Sequence, residues 1–593
     1  MKLSFLSFLT LILFITACKE NEKPTVKKPN EALPAFFERY YDERLKLFPL
    51  EATAIGDNRY NDTLPVTFTD SYRNKLREFY NRYLTEAGNY SRDELNEKDK
   101  ISYDVFVYET KMNLEELEFP SNYIPFNQFY ALPLSMGQLG SGTGNQPFKT
   151  TKDYEDWIKR ASGFKAWADS AILYFKKGLG DQYVLPKSIV VKMIPQMKAM
   201  VSTDVTKSIF YGPIAKMPDS FSDTDKKRFT EEYTKLIKKI LEPAYTKLAG
   251  FLERYLIYAR ASSGISSLPG GIDYYKFLVR QQTTTSKTPE EIYNTGLQEV
   301  ARIKALMDSV KNSTGFKGDL NAFFEYMKND KKFTPYKTPK EVLDAFENIH
   351  QRMMPYVNKM FNRAPKTPFE IRQTEAFRAA SASAEYFQGS ADGARPGIFY
   401  VPIIDATTFN VTSGMESLFL HEAIPGHHYQ ISLQQEDTLL PKFMRYGGNN
   451  AYTEGWALYC ESLGKELGLY TDPYQYMGAL GDEMHRAIRL VVDVAIHTKN
   501  MTREQAIKYM MENEAISEQG ATAEIERYIV IPGQALGYKI GALKIKELRE
   551  RYEKQLGSKF RLAAFHDEIL KDGSLPLDVL ETKMNAWADN YRQ

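Results

Sequence analysis

The sequence is poor in cysteine: 593 residues carry only Cys18 and Cys460, so a disulfide-stapled scaffold is excluded. Net charge is nearly absent as well. The 77 Lys and Arg balance 76 Asp and Glu to leave +1, which gives no global field to gather phosphates and argues against nucleic acid as a partner. No Gly-x-Ser-x-Gly elbow occurs, so a serine hydrolase has no nucleophile to offer. The glycine-rich stretch Gly137 to Gly144 lacks the Gly-Lys-Ser/Thr ending of a phosphate loop and reads as a plain flexible loop. Internal repeats are not apparent. What is present, 43% hydrophobic and 26% charged residues, is the balance of a globular chain with a sizeable core. At roughly 150 residues per domain, the length allows about four domains or one large enzyme.

The one long apolar run, Leu3 to Thr16 after Lys2, is too short to span a bilayer comfortably and has the order of a signal peptide. Its end, Ile15-Thr16-Ala17-Cys18, resembles a bacterial lipobox, which makes residues 1–17 a lipoprotein leader and Cys18 the lipidated N-terminus. Residues 18–34, rich in Lys, Glu, Asn and Pro, cannot bury enough apolar area to fold and read as a flexible tether. The expectation is a chain anchored by lipid in the bacterial cell envelope. Cys460, at helical spacing among apolar residues, reads as a packed core thiol.

The body from Ala35 reads as mainly helical, with an N-terminal part over 35–270 and a part carrying the chemistry over 271–593. Three helix starts have nameable chemistry: Thr288-Pro289-Glu290-Glu291, Thr338-Pro339-Lys340-Glu341 and Thr502-Arg503-Glu504-Gln505 all place a Glu or Gln three residues after a capping threonine. Past the first, Ile292, Leu297, Val300, Ile303 and Met307 mark a buried face. Amphipathic stretches also cover about 68–90, 152–178, 222–261 and 543–556. The clearest strand is Pro396 to Val401, a small β element some twenty residues before a histidine cluster.

Of the seven histidines, three fall in Leu420-His421-Glu422-Ala423-Ile424-Pro425-Gly426-His427-His428. Histidine followed by glutamate on an apolar helix is how zinc peptidases begin their motif, the imidazole binding the metal and the glutamate taking a proton from the water it activates. The usual second histidine comes four residues after the first, where this chain has Pro425. On a straight helix a residue six later points ~240° round and ~9 Å up, and one seven later lies ~10.5 Å away. Neither can share an ion with His421, so the reading requires a bulge at Pro425-Gly426 to return His427, or His428 as its rival, to His421. Downstream, Tyr452-Thr453-Glu454-Gly455-Trp456-Ala457-Leu458-Tyr459-Cys460-Glu461 puts two carboxylates on one helical face. Glu454 is the candidate third ligand, and Glu461 a candidate to orient a ligating histidine.

These motifs, with Arg527-Tyr528 and Pro532-Gly533-Gln534-Ala535-Leu536-Gly537-Tyr538-Lys539-Ile540-Gly541, resemble the bacterial family called domain of unknown function 885. The resemblance also takes in Ala52 to Asp57, the helix start at Thr288 and Gly393 to Gly397, and so covers nearly the whole mature chain. It implies a large, mostly helical fold with a deep cleft, similar to the gluzincin zinc peptidases of the thimet oligopeptidase, angiotensin-converting enzyme and thermostable carboxypeptidase group. By motif position the ligands of one Zn2+ become His421, His427 and Glu454, with Glu422 as general base. Peptide hydrolysis is then the implied activity. Tyr538, then Tyr528, then His497 are candidates to stabilise the oxyanion, and Arg527 and Lys539 to clamp a substrate carboxylate, as a carboxypeptidase or dipeptidase requires. A catalytically silent binding lipoprotein and a zinc hydrolase of non-peptide amides are the alternatives.

Overall fold

A computed structural model describes residues 31–375, 383–390, 393 and 395–592; the leader, Cys18 and most of the tether lie outside them, as does Ala394. The helix starts follow their local chemistry. At Thr288 and Thr502 both halves of the capping box form. At Thr338 the hydroxyl receives Glu341 N at 3.4 Å, but the Glu341 carboxylate accepts from Lys337 N at 2.6 Å, so that box is only half made. The stretch expected over 68–90 is the helix Asp70–Ala87. That over 152–178 splits at Gly163 into Thr151–Ser162 and Phe164–Gly180. The stretch over 222–261 is Asp223–Leu236 joined to Glu242–Tyr255 through one π-helical turn. The supposed glycine loop is half helix: Leu132–Gly140 is helical, and Gly140 lies flush against Trp157 and Phe210, where a side chain would collide.

The fold is mainly helical with one small sheet. Strands β1 (Phe369–Gln373), β2 (Glu385–Phe387) and β3 (Gly397–Val401) lie in the order β1-β3-β2, with β3 parallel to β1 and antiparallel to β2. Phe399, at the centre, meets Phe346 and Phe419, which seats the sheet against the Pro339–Met360 helix and the histidine segment.

Seven helices position the site and are numbered here in chain order: α1 (Pro289–Ser313), α2 (Met415–Glu422), α3 (His427–Glu436), α4 (Asn450–Ser462), α5 (Pro473–Thr498), α6 (Glu518–Val530) and α7 (Leu536–Leu556). The two most extensive helix pairings are α1 with α5 and α4 with α7. In the first, Gly296 rather than Leu297 faces the partner. A Cβ at 296 would come within 2.7 Å of Leu490 Cβ, and Leu297 is left 39% exposed, a register that apolar spacing alone misassigns. In the second, a Cβ on Gly541 would lie 1.8 Å from Ala451 O, and one on Gly455 would lie 2.5 Å from Gly541 Cα, so the backbones themselves touch. Two apolar clusters fill the interior and both take residues from either side of residue 270: Phe36 and Phe106 with Trp456 and Ile545 in one, Trp157 and Tyr245 with Val491 and Tyr528 in the other.

Candidate metal centre

The apolar residues Phe419 and Leu420 sink α2 into the core and carry His421 and Glu422 at its end. The helix then stops. Ala423 (φ −107°, ψ −104°) and Gly426 (φ −74°, ψ −130°) leave helical space, Trp456 Nε1 donates to Pro425 O at 2.8 Å, and α3 begins afresh at His427. The bulge expected within one helix is therefore a full break between two. Only glycine fits at 426, because a Cβ there would stand 1.9 Å from His421 O and 2.3 Å from Leu420 O. The turn brings the two rings together edge to face, with centroids 4.8 Å apart.

From the facing helix α4, Glu454 Oε2 reaches to 3.4 Å from His421 Nε2 and 3.5 Å from His427 Nε2, and one donor atom from each residue lies within 4.8 Å of the others. Ligands on ~2.0–2.1 Å bonds around a tetrahedral zinc stand about 3.4 Å apart, which both carboxylate-to-imidazole separations match. His421 donates Nδ1–H to Glu461 Oε1 at 2.7 Å, which turns its Nε2 towards Glu454. Burial opposes charge on His421, but the hydrogen bonds to Glu454 and Glu461 outweigh it and raise its pKa to about 10. Burial likewise opposes charge on Glu454, yet the two imidazoles hold its carboxyl well below the usual range. The cluster thus attracts positive charge. His427 lacks the support His421 has, its Nδ1 being buried with no hydrogen-bond partner.

His428 turns the other way. Its ring packs on Phe369 at 4.8 Å and its Nδ1 lies 3.1 Å from Tyr386 Oη and 3.4 Å from Ser432 Oγ, while burial pushes its pKa down to about 4. Of the rivals, His427 is the one the fold brings to His421 and Glu454. Glu422, half-buried beside them, makes no hydrogen bond or ion pair with any described residue.

Residues 49–584 match the family described as "Bacterial protein of unknown function (DUF885)". The chain belongs to that family. Among solved structures, the DUF885 chain is similar to a "putative lipoprotein" from Colwellia psychrerythraea, at 30% identity and TM-score 0.86 over 94% of this chain and 99% of that one. It is also similar to a "putative lipoprotein of unknown function" from Shewanella oneidensis, at 19% identity and TM-score 0.75 over 94% and 100%. The Pyrococcus furiosus carboxypeptidase is more distant, at 10% identity and TM-score 0.39 over 95% and 98%, a likeness too slight to bear on function. No curated protein matches.

The remaining expected residues of the DUF885 chain divide by what already occupies them. Tyr538 keeps a hydroxyl with no hydrogen-bond partner among the described residues, its ring lying under the Arg489 guanidinium at 4.7 Å. It sits on α7 one turn before Gly541, and Gly541 touches α4 at Gly455, the residue after Glu454. Tyr528 is fully buried and committed, donating to Glu524 Oε2 at 2.5 Å and receiving Arg489 Nε at 2.9 Å. His497 is also committed, receiving Ile265 N at 3.1 Å and donating to Tyr528 O at 3.0 Å, with burial pushing its pKa down to about 3. Neither has an atom free for an oxyanion. Lys539 is likewise no clamp: it is buried between Glu299 at 2.8 Å and Glu483 at 2.7 Å. Arg527 is half-buried, donates to Gln534 Oε1 at 2.6 Å, pairs with Glu524 Oε1 at 3.5 Å and lies over Phe129, with Nε unpartnered among the described residues.

Two residues behind the centre escaped the motif reading. Arg486 Nη2 lies 3.6 Å from Glu461 Oε1, and Asp482, which accepts from Ser417 Oγ at 2.5 Å, lies 3.5 Å from Arg486 Nη1. The available signal was the run of charges from Asp482 to Arg489 in a helix whose neighbouring residues are buried core.

Proposed function

We propose that this chain is a lipid-anchored, zinc-dependent hydrolase of peptide bonds. The observation that carries the reading is the convergence of His421 Nε2, His427 Nε2 and Glu454 Oε2 beside Glu422, whose carboxylate is unpaired among the described residues. Two imidazoles and one carboxylate are the donor set of catalytic zinc, which keeps a coordination position open, rather than of a closed structural site. Zinc held there supplies a Lewis acid that polarises a carbonyl and lowers the pKa of water.

The chain's own groups supply the rest. Glu422 accepts the proton of the attacking water and returns it to the leaving amine. Tyr538, whose hydroxyl has no partner among the described residues, donates to the developing oxyanion. Glu461 holds the His421 ring in its tautomer and orientation. Arg527 offers a guanidinium to a substrate carboxylate, which favours a carboxypeptidase or dipeptidase. The anchor is supported by the lipobox order at Cys18 and by likeness to two chains described as putative lipoproteins. A Cys18→Ser variant is expected to move from the membrane to the soluble fraction on cell fractionation; unchanged partition would rule the anchor out.

The test of the activity is digestion of a mixture of di- to decapeptides by the full chain with zinc, read by mass spectrometry. Peptide cleavage is expected, with Glu422→Gln losing ~10²–10⁴-fold in rate while retaining its metal. Cleavage of other amides but no peptide would transfer the reading to a non-peptide amidase, and metal without any turnover would leave a silent binding lipoprotein.

A further inference from the structure

A cavity of about 630 Å³ lies between the N-terminal helices and the start of α4, with Asn450 in its wall. Asn450 and Glu454 are four residues apart on one helix, so that wall is one turn, ~6 Å along the axis, from the metal centre. Asn450 exchanges hydrogen bonds with Gln534, donating to its carbonyl at 2.9 Å and receiving its Nε2 at 3.3 Å. Gln534 lines a second, more aliphatic cavity of about 280 Å³, and both cavities include Gln282. The two are the arms to either side of this pair, Asn450 lining the larger and Gln534 the smaller.

The larger arm is lined by amide side chains: Asn113, Gln281, Gln282, Gln388, Asn449 and Asn450. A primary amide both donates and accepts, which suits the alternating N–H and C=O groups of an extended peptide. Asn113 and Gln282 make no hydrogen bond with any described residue. The charges in the arm are unequal. Arg44 is bound by both nitrogens of its fork to Glu51, whereas Glu109 has neither hydrogen bond nor ion pair among the described residues. Burial pushes the Glu109 carboxyl up to about 7, with Arg44 only partly opposing it. A desolvated carboxyl without a partner is costly, and a cation set against it removes that cost.

We infer that this arm holds the backbone of a peptide substrate and seats a lysine or arginine side chain of that peptide against Glu109. The inference rests on the peptidase reading of the metal centre and names its substrate class. Its test is binding of pentapeptides to the full chain carrying Glu422→Gln, which leaves the ligand uncut. Alanine pentapeptides with a single Lys, Arg, Leu or Glu at each position in turn are titrated by calorimetry.

A Lys or Arg peptide is expected to bind about tenfold more tightly than its Leu counterpart at one position. Adding Glu109→Gln should abolish that preference without changing the Leu affinity, and Glu109→Lys should shift it to the Glu peptide. Unaltered Leu binding in Glu109→Gln shows that the fold is intact. Equal binding of all peptides, or a basic preference that survives Glu109→Gln, overturns this inference and leaves the peptidase reading standing. Failure of every pentapeptide to bind overturns both.

Discussion

His421 is gripped from two sides, by Glu454 through Nε2 and by Glu461 through Nδ1, and the second contact decides which nitrogen faces the candidate metal position. Losing such an outer partner commonly costs 10–100-fold in metal affinity, so Glu461→Gln is expected to weaken zinc binding by about that factor in a competition titration with a chromophoric chelator. A change under twofold would mean that the contact does not orient the ring. The neighbouring histidines are expected to separate in the same assay: His427→Ala should lose stoichiometric zinc and His428→Ala keep it, with the reverse pattern assigning the wrong ring. In the sequence, His421, Glu422, Glu454 and Glu461 stand out from residue type and spacing alone, because each lies in a helical segment whose phase can be counted. The choice between His427 and His428 does not, since it depends on the direction in which the chain leaves Ala423. Tyr528, His497 and Lys539 are misread for a related reason. The groups that occupy them, Arg489, Ile265 and Glu299, come from other elements far along the chain.

At the level of elements, the candidate metal centre depends on two close approaches that tolerate no side chain. The α4–α7 crossing puts backbone against backbone at Gly455 and Gly541, and the α2–α3 break folds Gly426 over the carbonyls of Leu420 and His421. Gly541→Ala is expected to lose about 3 kcal/mol or more, because the atoms in the way are backbone and cannot rotate aside. Thermal unfolding checks this, and an unchanged melting temperature would show that the helices separate at little cost. Trp456, fully buried and bonded to Pro425 O, ties the break to α4, and truncating it to alanine should cost about 3–5 kcal/mol. The helix starts at Thr288 and Thr502 are legible because a capping box is local chemistry. The burial of Gly296 in place of Leu297 is not, because it records how closely α5 approaches.

Over the whole molecule, the amide-lined cavity lies between the N-terminal helices and the helices of the candidate site, which share apolar clusters drawn from either side of residue 270. The helical class could be read from amphipathic periodicity, and β3 from its aromatic and β-branched run. The order β1-β3-β2 could not, because it pairs residues far apart in the chain, and nor could the amide-lined arm, whose walls come from six separate stretches of sequence. All of the functional account, from Glu422 as base to Glu109 as specificity residue, hangs on a metal between His421, His427 and Glu454. Elemental analysis of the full chain purified without chelator, beside His421→Ala, tests this most directly. About one zinc per chain, lost in the variant, is the expected result; a chain that takes up no metal even after incubation with zinc would contradict the metal centre and the hydrolase built on it.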